Sequence, residues 1–61
     1  MTIAAYIRQD RVRTAMSMLS ENRLSLVEIA DTLCFSSLPH FEKIFKEVTG
    51  VTPGVYRRNL L

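Results

Sequence analysis

The 61-residue sequence contains no tryptophan, one cysteine, one histidine, two glycines and two prolines. Since a disulfide requires two cysteines, Cys34 forms none within the chain, and one cysteine with one histidine is too few for a structural zinc site. Without such a staple, a chain of this length buries only about 60% of the surface that its unfolded form exposes, so its stability depends on well-packed helices. A lone cysteine favours a reducing, cytoplasmic location, and no cofactor or metal is expected.

The sequence also lacks long apolar runs and segments in which apolar and polar residues alternate. The apolar stretch at residues 1–7 ends at Arg8, and its basic residues follow it, whereas those of a signal peptide precede the apolar segment. Without alternation no strand is predicted, so the fold class is expected to be all-α. No membrane segment is predicted.

Motifs typical of enzymes are missing as well. The sequence has no glycine-rich phosphate loop and no cluster of metal ligands, and its one histidine, His40, stands in no nucleophile–base motif. The chain is therefore interpreted as a protein that is not an enzyme and has no small-molecule site in this segment.

Positive charge lies mainly at the two ends of the chain. Residues 1–24 and the residues after 49 each carry a net charge of +2, and residues 25–49 carry −2. Basic ends are compatible with contacts to phosphates, and they are equally compatible with an ordinary solvated surface.

Capping residues and apolar spacing predict two helices in the first half of the chain. The first runs from about Thr2, its N-cap, to about Ser20. The second begins at the capping box of Ser25 and Glu28, in which each side chain accepts a hydrogen bond from the other residue's backbone N–H, and it ends near Leu33. The residues expected to face inward are Val12, Ala15, Met16 and Leu19 in the first helix and Leu26, Ile29, Ala30 and Leu33 in the second.

Two further helices are predicted in the second half. One runs from about Ser37 to Thr49, with Ser36 or Ser37 as N-cap and Gly50 as the left-handed residue that ends it. Thr52 and Pro53 begin the last helix, over residues 52–60. The expected buried stripe of the third helix consists of Phe41, Ile44, Phe45 and Val48. Residues 1–61 are thus interpreted as one small helix-turn-helix bundle of about four helices.

The short second helix and the third helix, joined by a tight turn at residues 34–36, are typical of a helix-turn-helix unit. In such a unit the second helix protrudes, and its diameter of about 10–12 Å fits a major groove about 12 Å wide. The start of that helix then meets base edges.

Several motifs follow one another along the chain: Arg11-Val-Arg-Thr-Ala15, Met18-Leu19, Leu26-Val-Glu-Ile-Ala30, Phe35-Ser-Ser, Phe41-Glu-Lys-Ile-Phe45-Lys46, Gly50-Val-Thr-Pro53 and Tyr56-Arg57. In order and spacing they resemble the C-terminal half of the DNA-binding domain of AraC/XylS-type bacterial transcription regulators. The resemblance implies a linking helix at residues 1–20, a helix-turn-helix at 25–49 and a C-terminal helix at 52–60. That family's domain has two such units, so the chain is interpreted as a fragment of a longer regulator or as a small regulator built from half a domain.

Cys34 departs from the family, which usually has glycine at this position of the turn. A cysteine in the left-handed conformation would bear a strain of about 1 kcal/mol, so the turn is expected to differ locally. The Cys34 side chain is expected to be small, apolar and partly buried.

The resemblance and the geometry imply sequence-specific binding to double-stranded DNA. The candidate DNA-binding residues are Ser36, Ser37, Leu38, His40, Lys43, Lys46 and Arg57. Serine can donate or accept at any base, and Leu38 can meet a thymine methyl group. Lys43 is the principal candidate for a base or phosphate contact. The alternatives are that the serines only cap the helix, that His40 and Lys43 are solvated, and that Arg57 braces the fold by pairing with a carboxylate.

A second hypothesis is a protein-interaction or dimerisation module with weak or no DNA binding. Half a domain would leave apolar surface uncovered where its other half should pack, and such patches commonly mark interfaces. The candidates for that surface are Ile3, Ile7, Met16 and Met18. Its partner would be a second copy of the chain or an N-terminal domain that precedes it.

Overall fold

A computed structural model of the chain describes residues 2–60. The described residues form four helices: α1 (Ile3–Glu21), α2 (Leu26–Thr32), α3 (Leu38–Thr49) and α4 (Pro53–Asn59). Between residues 2 and 60 there is no strand. The prediction of a small all-α bundle of about four helices is therefore confirmed.

Every helix begins at a serine or threonine whose hydroxyl accepts a hydrogen bond from a backbone N–H three residues on. These N-caps satisfy N–H groups that have no partner within the helix. The N-caps are Thr2, Ser25, Ser37 and Thr52. The structure thus selects Ser37 rather than Ser36 as the cap of α3, and it confirms the other three predicted caps.

Two helices end at a residue in the left-handed conformation. Asn22 follows α1 with φ 55°, and Gly50 follows α3 with φ 88°. The N–H of Gly50 donates to the carbonyl of Lys46 at 2.8 Å, which closes the last turn of α3. The role predicted for Gly50 is confirmed, and α1 extends one residue beyond the predicted end at Ser20.

The core lies where α1, α2 and α3 meet, and α4 packs against α1 and α3. A row of aromatic rings runs through it. Phe41 lies 5.1 Å from Phe35 and 5.8 Å from Phe45, and Phe45 lies 5.6 Å from Tyr56, between ring centroids. Each such pair contributes about 0.5–1.5 kcal/mol beyond the area that it buries. The buried core residues are Val12, Ala15, Leu19, Ile29, Ala30, Phe35, Phe41, Ile44 and Phe45.

Some predicted burial is wrong. Val48, expected in the buried stripe of α3, is 39% exposed, because it lies in the last turn of α3, where the stripe extends beyond the surface that the neighbouring helices cover. Met16 and Met18, which the interaction hypothesis places on an uncovered surface, are half-buried and pack against the core, as the helical spacing predicts for Met16. Leu26 and Leu33 are only half-buried at its margin.

Apolar side chains at the start of α1 are exposed, as the interaction hypothesis expects for part of its surface. Ile3 is 81% exposed, Tyr6 64% and Ile7 46%. These residues form a strip on the first two turns of α1, before the buried residues of that helix begin at Val12. None of the helices in residues 2–60 combines the length and apolar character that crossing a membrane requires.

Candidate nucleic-acid interface

The turn between α2 and α3 reverses the chain within a few residues. Cys34 adopts the left-handed conformation with φ 64°, and its N–H donates to the carbonyl of Asp31 at 3.1 Å. The next N–H, that of Phe35, donates to the carbonyl of Ala30 at 2.9 Å, and the Phe35 ring enters the core. The cysteine therefore adopts a left-handed conformation that glycine would adopt without strain.

The expectation that Cys34 is partly buried is wrong, because its side chain is exposed. The turn directs the side chain of the following residue, Phe35, into the core, and the Cys34 side chain lies on the outside of the bend. The residue thus bears the strain of a left-handed backbone without gaining much packing in return.

The third helix presents one exposed face to solvent that carries two lysines. Pro39, Lys43 and Lys46 are exposed and follow one another at the i, i+4, i+7 spacing of a single helical face. The face that carries Phe41, Ile44 and Phe45 is buried, so the three exposed residues point away from the core. We call Pro39, Lys43 and Lys46 the outward face of α3. The candidate site residues did not include Pro39, although its spacing from Lys43 was a signal that could have identified it.

The residues at the start of α3 are accessible to different degrees. Ser36, Ser37 and His40 are exposed, whereas Leu38 is half-buried and packs against the core. Only part of the Leu38 side chain is therefore available to a ligand. The Ser37 hydroxyl accepts the N–H of His40 at 3.2 Å and keeps its own proton to donate.

Ser36 and His40 lie together, with Ser36 Oγ 3.2 Å from His40 Nδ1. The His40 ring also meets the Phe35 ring edge to face, at 5.6 Å between centroids. These two contacts hold the imidazole at the side of α3 that borders α1. His40 is therefore next to the outward face of α3 rather than on it.

An open groove of about 270 Å³ separates the start of α1 from α3. Arg11 lies above the Phe35 ring, with its guanidinium carbon 5.5 Å from the ring centroid. Arg8 pairs with Glu47 across the groove at 3.8 Å. The volume is below the roughly 300–1,000 Å³ of ordinary ligand pockets. The groove is lined by Ala4, Ile7, Arg8, Arg11, Phe35, His40 and Ile44.

Arg57 does not lie beside the other candidates. Its guanidinium is half-buried, and Nη2 donates to the backbone carbonyl of Leu24 at 2.6 Å. Arg57 thus braces the fold, which was one of its two expected roles. The predicted carboxylate partner is wrong. The acceptor is a carbonyl at the start of α2, because α4 packs close to that segment. Of the seven candidates, the structure brings together Ser36, Ser37, Leu38, His40, Lys43 and Lys46 on or beside α3.

Residues 2–60 contain no group of histidine, cysteine or acidic residues that could hold a metal ion. Lys43 and Lys46 place two positive charges on the outward face, and Arg8 and Arg11 place two more beside the groove. Glu47 offsets one of these through its pairing with Arg8, and the half-buried Glu42, next to Lys43 in α3, offsets another. The arrangement can attract an anionic polymer along α3.

Comparison with known proteins agrees with this geometry. The sequence pattern of a family described as a helix-turn-helix domain matches residues 1–59. The chain is 40% identical over 58 residues to an HTH-type transcriptional activator RhaR of Cronobacter sakazakii, covering 95% of the chain and 20% of that protein. It is 39% identical over 57 residues to the F1 operon positive regulatory protein of Yersinia pestis, covering 93% of the chain and 19% of that protein.

A shorter relative is the transposon Tn10 TetD protein of Escherichia coli, 40% identical over 60 residues, with 98% of the chain and 44% of that protein covered. The chain thus spans between about a fifth and somewhat under half the length of these relatives. No solved structure gave a significant match. With nearly every residue inside the matched family, and with the capped helices and turn described above, the chain belongs to the helix-turn-helix domain family of AraC-type transcription regulators.

Proposed function

We propose that the chain is a sequence-specific DNA-binding unit of a transcription regulator, and that α3 enters the major groove of double-stranded DNA. The outward face of α3 carries this proposal, because it joins an accessible helix start to two exposed lysines on the side opposite the core. A helix about 10–12 Å across fits a groove about 12 Å wide. In helix-turn-helix proteins the start of the second helix contacts base edges.

Each side chain at the start of α3 has a role that its chemistry suits. Lys43 can donate to guanine O6 and N7, and the apolar ring of Pro39 can contact a thymine methyl group. Ser36 and His40 can donate to a base or to a phosphate, and the free proton of the Ser37 hydroxyl can reach a phosphate. Lys46, one turn beyond Lys43, suits a phosphate contact. Because Leu38 is half-buried, only the exposed part of its side chain could contact DNA.

A single unit of this kind contacts only a few base pairs. We therefore expect the chain alone to bind DNA in the non-specific range of about 10⁻⁴–10⁻⁶ M at physiological salt. The chain alone should still prefer some sites modestly, and discrimination sufficient to single out one site in a genome requires a second reading unit, supplied by a longer chain or by a second copy.

The test measures binding of the chain to a fluorescein-labelled mixed-sequence duplex at several salt concentrations. If α3 lies against DNA, the logarithm of the affinity falls linearly with the logarithm of the salt concentration. Lys43→Gln then lowers the magnitude of the slope by about 0.9, the value for one lost phosphate contact, or weakens binding in a sequence-dependent way if Lys43 reads a base.

Arg13→Gln is the matched control. Arg13 is exposed on α1, on the side away from the buried residues of that helix, and the substitution removes one positive charge as Lys43→Gln does. It should change the affinity and the slope much less. Equal effects of the two substitutions would mean that only net charge matters, and a salt-independent affinity would refute DNA binding by this face.

The exposed strip of Ile3, Tyr6 and Ile7 supports a second candidate function, a protein-interaction or dimerisation module. An exposed apolar strip beside charged residues is typical of an interface. Sedimentation of the chain over a range of concentrations tests it. This candidate predicts self-association that Ile3→Ser and Ile7→Ser abolish, with DNA affinity that does not depend on salt.

A further inference from the structure

One side-chain hydrogen bond differs from all the others in residues 2–60. Arg57 Nη2 and the Leu24 carbonyl are 33 residues apart in sequence and 2.6 Å apart in space. Every other side-chain hydrogen bond among these residues joins groups no more than four residues apart. Among residues 2–60, Arg57 therefore donates the one side-chain hydrogen bond that joins segments distant in sequence.

The acceptor lies at the beginning of the helix-turn-helix. Leu24 directly precedes Ser25, the N-cap of α2, whose hydroxyl accepts the N–H of Glu28. Leu24 itself packs against the core at this junction. A bond to its carbonyl consequently fixes the point at which the chain enters α2.

The rest of α4 supports the same junction. Gly54 lies beside α2, since a Cβ built on it would be 3.9 Å from Leu26 Cδ1. Tyr56 packs edge to face against Phe45 of α3, at 5.6 Å between centroids. Consecutive residues of α4 thus attach to different helices: Tyr56 to α3, and Arg57 to the start of α2. Through Tyr56 and Arg57, α4 thus contacts both segments of the helix-turn-helix.

Burial separates Arg57 from the exposed cations of α3. Its Nε is buried and has no hydrogen-bond partner among residues 2–60, and Nη2 is engaged by Leu24. Arg58, the next residue, is exposed. A guanidinium that must leave the Leu24 carbonyl to reach a phosphate would give up a charge-assisted hydrogen bond, so its exchange for a surface phosphate contact brings little net gain.

We propose that Arg57 is a positioning residue for the proposed DNA contact, acting through the Leu24 carbonyl to hold α2 and α3 at one angle, and that it neutralises no phosphate. The inference rests on the proposed function. It reassigns Arg57 from the set of DNA-contacting residues to the frame that orients them.

The test compares Arg57→Gln with Arg58→Gln, which loses the same charge from the adjacent exposed position. The probes are a duplex selected from a random-sequence pool by the wild-type chain and a scrambled duplex of the same composition. Arg57→Gln should lose about tenfold in affinity for the selected duplex beyond any loss in Arg58→Gln, and the two variants should share one salt slope. A slope reduced by about 0.9 in Arg57→Gln alone, with both duplexes weakened equally, would overturn the proposal.

A second measurement needs no DNA and so separates this inference from the proposed function. The Ile29 N–H donates to the Ser25 carbonyl at 3.0 Å in the first turn of α2. Arg57→Gln should accelerate hydrogen exchange of this amide about tenfold relative to Arg58→Gln, while the Val12 amide of α1 exchanges at an unchanged ratio. If the wild-type chain binds neither a selected nor a mixed-sequence duplex, the DNA-binding proposal fails, and this ratio still decides whether Arg57 holds α2. Equal exchange in the two variants would overturn the positioning role.

If Arg57→Gln fails to fold, an NMR measurement on the wild-type chain can test the positioning role instead. A coupling across the hydrogen bond between Arg57 Nη2 and the Leu24 carbonyl carbon should be visible by NMR and should persist when the selected duplex is added. Its disappearance on addition of DNA would show that Arg57 leaves Leu24 for a phosphate, which contradicts the proposal.

Discussion

Ser25 and Glu28 exchange two hydrogen bonds at the start of α2. The Glu28 N–H donates to Ser25 Oγ at 3.2 Å, and the Ser25 N–H donates to Glu28 Oε1 at 3.0 Å. The backbone N–H of Ser25 stabilises the ionised carboxylate of Glu28 most, and the Ser25 hydroxyl stabilises it less. Together they hold the pKa of Glu28 below its ordinary value of 4.5. The first turn of α2 is thus secured by a bond that exists in full only while Glu28 is ionised.

Acidification should therefore weaken this helix start. Because the pKa of Glu28 is lower in the folded chain than in the unfolded chain, its stabilising contribution is present above pH 4.5 and is lost as the pH falls through the lowered folded value. Glu28→Gln should remove this contribution and leave the rest of the acid dependence unchanged. Urea unfolding of both chains across the acid range measures it, and parallel curves below pH 4.5 would contradict the prediction.

Cys34→Gly should stabilise the fold. The left-handed backbone at φ 64° strains any residue with a Cβ, and the exposed thiol contributes little packing. We expect the free energy of unfolding to rise by about 0.5–1 kcal/mol, since relief of the strain outweighs the greater flexibility of glycine in the unfolded chain. Cys34→Ala keeps the Cβ and is the control, with little expected change in denaturant unfolding. A loss of stability in the glycine variant would show that the cysteine side chain makes a useful contact.

The two glycines should respond to alanine in opposite directions. Gly50 has φ 88°, so Gly50→Ala should lower the free energy of unfolding by about 1 kcal/mol despite the open space around it. Gly54 is helical, and its added Cβ would make an ordinary contact at 3.9 Å from Leu26 Cδ1. Gly54→Ala should raise stability by up to about 1 kcal/mol through helix propensity. Thermal unfolding of the pair decides the matter, and a shift in the same direction for both would be inconsistent with these backbone conformations.

Phe45 and Val48 belong to the same predicted stripe of α3, but the structure separates them. Phe45 is fully buried between Phe41 and Tyr56, and Val48 is 39% exposed. Phe45→Ala should cost about 3–5 kcal/mol, enough to unfold much of so small a chain, whereas Val48→Ala should cost less than about 1 kcal/mol. Circular dichroism of the two variants at 25 °C compares them directly. Comparable losses would show that Val48 is covered in solution.

Most of the helical framework could be predicted because each signal acts over a few residues. The caps at Thr2, Ser25 and Thr52 and the helix end at Gly50 depend on bonds between groups no more than four residues apart. The candidate site on α3 was likewise predictable, since Lys43 and Lys46 follow one another on the helix face opposite the phenylalanines. How DNA engages these residues stays a prediction.

The sequence by itself determined where the four helices begin and end to within one residue, because capping and apolar spacing are local properties of the chain. Only the tertiary structure decided which apolar residues are covered, that Cys34 faces outward, and that Arg57 reaches the Leu24 carbonyl rather than a carboxylate. Burial depends on how far neighbouring helices extend over a surface, and the partner of a long side chain depends on which backbone group the packing brings within reach. Neither quantity is contained in the spacing of residues along one helix.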